Sequence, residues 1–227
     1  MADRMFPRIR AFYSRNLPVG DLLGEMFYAV WMVVVSLGIL GGTGFEGGAI
    51  VTVVIIAFLV NITWGMIDGL TVMHSNVIER ARNDKIVHDL QARDDAVARR
   101  AADQALEEGI AGVLGPADRE KVLDMIASAP PGEDPATTPY HPRGEDWYYA
   151  LGILSIDVLL VVPLVAPFLL WSDPAQALYA SRLIATVLFA TLGAAYAAKL
   201  NRRRWVAALF LGTLCFSVFS LAFLAGW

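Results

Sequence analysis

The chain has 227 residues, of which 56% are hydrophobic and 18% charged, with a mean hydropathy of +0.52. A soluble domain of this length usually carries more charge, and a formal net charge of −4 lacks the basic footprint of a nucleic-acid binder. The single cysteine, Cys215, excludes an internal disulfide and reads as a small buried apolar residue.

Residues 1–21 carry Arg4, Arg8, Arg10 and Arg15 and lead into a first apolar stretch, 22–40, with no signal-peptide cleavage pattern. Further apolar stretches follow at 49–72, 147–171, 178–200 and 205–226. Each reaches the roughly 20 residues that a helix needs to cross a bilayer core. Residues 75–146, between the second and third stretches, are dense in Asp, Glu, Arg and Lys. The expectation is an all-α membrane protein. A cytoplasmic segment 1–21 precedes transmembrane helices 1–2 (22–74). A cytoplasmic helical insert with a Pro-rich linker (75–146) then leads to transmembrane helices 3–5 (147–227).

Basic residues orient it. Loops 41–48 and 172–177 contain no Lys or Arg, whereas the insert holds nine and the turn after the fourth stretch holds Lys199, Arg202, Arg203 and Arg204. The positive-inside rule then places the N-terminus and insert in the cytoplasm and the C-terminus outside, in a membrane such as the bacterial inner membrane. Arg182 departs from the rule and is expected to snorkel to the interface. Trp147, Tyr148, Tyr149, Trp171, Trp205 and Trp227 sit at stretch ends, as an aromatic belt would.

Glycines pair at small-xxx-small spacing in the first two stretches, Gly38 with Gly42 and Gly65 with Gly69, a spacing that lets helix backbones approach closely. The run 66–100 contains no proline, so one helix is expected to leave the membrane and continue into the insert. Along it Asn61, Asp68, Ser75 and Glu79 share a face, which reads either as the lining of an ion path or as a polar side turned to neighbouring helices. Farther on, Asp84, His88, Gln91 and Asp95 form a stripe able to offer oxygen and imidazole ligands to a divalent metal; the plainer reading is a solvated charged face.

Helices are predicted over 96–108 and from Pro116 to just before Pro130, followed by a linker, 130–142, in which His141 reads as a linker residue. The third apolar stretch holds Asp157 with Pro163 and Pro167. Asp157 reads as a site within the membrane or as a structural partner of a hydroxyl, and the prolines kink the helix or free backbone carbonyls. No GxSxG, P-loop, GxGxxG, HExxH or CxxC occurs, so no enzyme is expected.

The order of elements resembles the vacuolar iron transporter family, also called the yeast Ca²⁺-sensitive cross-complementer family. Gly20-Asp21-Leu22-Leu23-Gly24-Glu25 resembles its entry segment and 36–42 its glycine-containing span end. Thr63-Trp64-Gly65-Met66-Ile67-Asp68-Gly69 stands where the family has Ser-Met-small-x-Gly-Glu-Tyr, Val162-Pro163-Leu164-Val165-Ala166-Pro167-Phe168 resembles its third span, and 192–212 its final hairpin.

The resemblance implies a homodimer of five-helix subunits that moves Fe²⁺, and often Mn²⁺, out of the cytosol in exchange for protons. No tightly bound cofactor is implied; the divalent cation (Fe²⁺, Mn²⁺ or Zn²⁺) is substrate. It further implies that Asp68 receives the ion; the polar stripe and the third-span carboxylate add Asn61 and Asp157 to the candidate path. Glu79, Asp84, His88, Asp95, Glu107, Glu108, Glu120 and Met125 then fall in the metal-collecting domain. Trp31-Met32-Val33 stands at the family's Asn-Asp-Gly and Trp64 at its second-span Met, which leaves Met32 and Met66 as the thioethers available to the path. The rival expectation is a membrane-anchored metal sensor or scaffold of the same descent that no longer transports.

Overall fold

The computed structural model describes residues 11–42, 49–93 and 95–225, without the side chains of Gly42 and Ala49. The arginines at 4, 8 and 10, the loop glycine at 44, and Gly226 and Trp227 lie outside the described residues. Seven α-helices follow the helical residues 11–16: α1 Val19–Gly42, α2 Ala49–Arg93, α3 Ala96–Glu108, α4 Pro116–Ser128, α5 Gly144–Leu170, α6 Pro174–Lys199 and α7 Arg204–Ala225. No strand occurs among the described residues. Helices α1, α2, α5, α6 and α7 are long and apolar enough to cross a membrane, the make-up of an integral membrane protein.

The chain divides into two compact units, one of residues 1–71 with 147–227 and one of 72–146. The first is a helical bundle whose buried residues come from all five apolar helices: Val30, Val33, Val34 and Leu37 of α1, Val53 and Ala57 of α2, Val161, Leu164 and Phe168 of α5, Ala185 and Phe189 of α6, and Cys215 and Phe219 of α7. Its outward faces are equally apolar: Val51, Ile55, Leu59 and Leu70 of α2 are exposed, as are Leu169, Val187, Leu209 and Leu221. Helices apolar all round belong in a hydrocarbon environment.

Glycines set the closest helix approaches. A Cβ on Gly38 would come 2.6 Å from Ala222 Cβ and 3.2 Å from the Phe219 carbonyl, so α1 meets α7 backbone to backbone there. On α2, a Cβ at Gly65 would lie 3.0 Å from Leu154 Cα, and one at Gly69 would lie 2.9 Å from the Ala150 carbonyl. The Gly65–Gly69 pair therefore serves packing against α5 of the same chain. Asn201, at φ 53, ends α6 in the left-handed conformation that asparagine tolerates, and the Arg202 N–H returns to the Ala197 carbonyl at 2.8 Å before α7 begins. Arg182 packs its guanidinium 3.4 Å from the centre of the Phe216 ring and donates to Ser220 on α7.

The second unit has its own small core of Leu90, Ala98, Ala102 and Leu123, flanked by Ile86, Leu106 and Ile126. α3 and α4 are joined through a 3₁₀ turn, Ile110–Val113. The helix expected to run through 66–100 stops at Arg93. Asp95 caps α3 instead, accepting from the Val97 and Ala98 amides at 3.0 and 2.8 Å. An acidic side chain is unfavourable at a helix C-terminus and favourable at an N-terminus, so the break falls where Asp95 changes from the first role to the second.

Candidate functional site

The bundle carries acidic side chains on three of its apolar helices: Glu25 on α1, Asp68 on α2 and Asp157 on α5. They interact through space: Glu25 and Asp68 both act electrostatically on Asp157, and Asp68 and Asp21 act on Glu25. Asp157 is 2% exposed, and its Oδ2 has no hydrogen-bond partner within the protein; the same holds for the buried Glu25 Oε2. Room for Asp157 comes from Gly65, where a Cβ would sit 2.6 Å from Asp157 Oδ2.

Asn61, one turn along α2 from Gly65, is 1% exposed; its amide nitrogen donates to the Ala57 carbonyl at 3.0 Å and its Oδ1 is buried without a partner. One helical turn before Glu25, Asp21 accepts from the Tyr149 hydroxyl of α5 at 2.6 Å. The inward face of α2 is thus Ala57, Asn61, Gly65, Asp68 and Gly69.

Trp64 and Met66 do not share that face. They are 44% and 50% exposed, on the outer side of α2, because the one-residue steps from Gly65 rotate each side chain about 100° away from the inward stripe. Neither the thioether of Met66 nor the bulk of Trp64 enters the carboxylate cluster. Met32 is half-buried on α1. Glu25, absent from the predicted ion path, is the addition; its mark in the sequence is a carboxylate within the first apolar stretch, four residues after Asp21.

The acidic residues of the insert are placed differently. Glu120 and Asp124 both accept from Arg99, at 2.5 and 2.9 Å. Asp103 accepts from Arg119 at 2.7 Å, a bond that holds this guanidinium above its ordinary pKa, while Glu107 lies 3.9 Å from the same arginine. Glu108 accepts from Gln104 at 2.9 Å and lies 3.6 Å from Arg82. Glu79 and Met125 are exposed. Asp95, as the cap of α3, leaves the expected stripe with Asp84, His88 and Gln91.

Asp84 accepts from the Tyr140 hydroxyl at 3.0 Å; burial first, and then this bond, hold that hydroxyl above its ordinary pKa. Asp84, His88, Tyr140 and His141 line a cleft of about 610 Å³ between α2 and the linker, with His88 Nδ1 buried and unpartnered.

Among the described residues, no three His, Cys, Asp or Glu side chains converge closely enough to hold one metal ion. No protein-family model, curated protein or solved structure matches the chain.

Proposed function

We propose that the chain is a membrane transporter for a divalent cation, of the kind the vacuolar iron transporter resemblance implies, with Fe²⁺ or Mn²⁺, and then Zn²⁺, as substrates. The observation that carries this reading is the set of carboxylates Glu25, Asp68 and Asp157, contributed by three apolar helices, with buried oxygens on Glu25 and Asp157 that have no partner. Ionisable groups inside a membrane are costly and are retained for ion paths and relays.

In this reading Asp68 and Glu25 receive the substrate ion. The positive-inside pattern puts the N-terminus and insert on the cytoplasmic side of an inner membrane. The exposed apolar faces meet lipid and, by the family's pattern, a second copy in a homodimer. No catalytic role is assigned.

Purified protein in liposomes should carry Mn²⁺ or Fe²⁺ above protein-free vesicles, and E25Q and D68N should each reduce that flux at least about tenfold, the effect of losing roughly 1.4 kcal/mol of ion binding. No flux of Fe²⁺, Mn²⁺ or Zn²⁺ refutes transport; unchanged flux in both variants refutes the residue assignment.

A second reading is favoured by the ion pairs of the insert. Glu107, Glu108, Glu120 and Asp124 are matched to Arg119, Arg82 and Arg99, which suits a membrane-anchored scaffold better than a metal-collecting surface. Absence of both flux and Mn²⁺ binding by the whole protein would favour the scaffold.

A further inference from the structure

We infer that Asp157 and Asn61 form a binding site for one dehydrated monovalent cation of Na⁺ size between α2 and α5. The inference does not depend on the transport reading.

Two side-chain oxygens, Asp157 Oδ2 and Asn61 Oδ1, are buried and unpartnered, and their residues are 2% and 1% exposed. A buried oxygen without a donor costs about 1–3 kcal/mol, so two of them facing one bundle interior call for an occupant. Asn61 Nδ2 is already engaged with the Ala57 carbonyl, which directs the free lone pairs of Oδ1 away from that bond.

Both residues belong to the same helix contact. Gly65, which gives room to Asp157 Oδ2, lies one turn from Asn61 on α2.

The charge of the donor set selects the occupant. One carboxylate and one amide oxygen sum to a single negative charge. A monovalent cation neutralises it, whereas a dehydrated divalent ion leaves an uncompensated positive charge in a low-dielectric interior. A proton on Asp157 satisfies that carboxylate but offers no partner to an Asn61 oxygen one helical turn beyond Gly65; a cation bridging the two satisfies both. The ligands are hard oxygens, which suit Na⁺ and offer nothing to a soft metal.

The test is direct binding of ²²Na⁺ to the purified full-length protein in detergent, at fixed pH and ionic strength. About one saturable site per chain is expected, displaced by NaCl, less well by KCl and not by choline chloride. D157N should abolish it. N61L and G65A should each weaken it about tenfold or more, the first by removing an oxygen and the second by pushing the carboxylate away while keeping every ligand.

Undisplaceable or absent Na⁺ binding, K⁺ competing as well as Na⁺, or binding unchanged in both D157N and G65A overturns the inference. Na⁺ binding without any metal flux would refute the transport reading and leave this site standing; metal flux without Na⁺ binding does the reverse.

Discussion

The Arg80–Asp146 pair offers the most quantitative test of how the insert is held. Arg80 on α2 donates from Nη1 and Nη2 to the two oxygens of Asp146 at 3.0 and 2.7 Å, and the Arg143 amide donates to the same carboxylate at 2.7 Å. The Asp146 side chain is 3% exposed and that of Arg80 22%. Removing one member of a fully buried pair costs about 3–5 kcal/mol, and the residual hydration of Arg80 lowers the expectation for R80A and D146A to about 2–3 kcal/mol each.

Amide hydrogen exchange in 132–143 is the assay. It should quicken by about a hundredfold in either variant, since each 1.4 kcal/mol of local opening is a factor of ten. The double variant R80A/D146A should lose less than the sum of the two, with a coupling of at least about 1 kcal/mol. R80K should behave nearly like R80A, because an ammonium cannot reproduce the forked contact. Strict additivity of the two single variants would falsify the claim that the pair closes the base of the insert.

Leu123, at 1% exposure in a core with Leu90, Ala98 and Ala102, makes L123A expected to destabilise the insert by about 2–4 kcal/mol, measured as a shift in the urea midpoint of far-UV ellipticity. D95A should fray α3 and cost about 1 kcal/mol through the lost cap; restoration by D95S, which caps without a carboxylate, separates capping from metal ligation. At Gly38, G38A should weaken the α1–α7 contact by about 1–3 kcal/mol, since its Cβ meets Ala222 and the Phe219 backbone; an unchanged thermal transition in detergent would show that the helices are not as close as described.

The five apolar helices and the charged insert were legible from the sequence because crossing a bilayer is a local requirement on length and composition, met separately by each stretch. The start of α4 was legible as well, since Pro116 acts on the backbone within a turn of itself. The acidic entry to α3 was nonetheless misjudged as a continuation of α2, because Asp95 suits a ligand stripe and a cap equally until the chain direction is known.

Which side chains face the bundle interior was decided by tertiary structure alone. On helices apolar all round, hydrophobic periodicity does not mark an inward face. Met66 therefore read as a thioether available to an ion path, although it lies on the outer side of α2. Glu25 looked like part of an entry segment until α1, α2 and α5 were brought together around it. The insert's acids likewise looked free to gather metal until packing of α3 on α4 set Arg99 and Arg119 against them. Composition along the chain decides what lies in the membrane; only the helix contacts, set by glycines at 38, 65 and 69, decide which polar atoms are buried there without a partner.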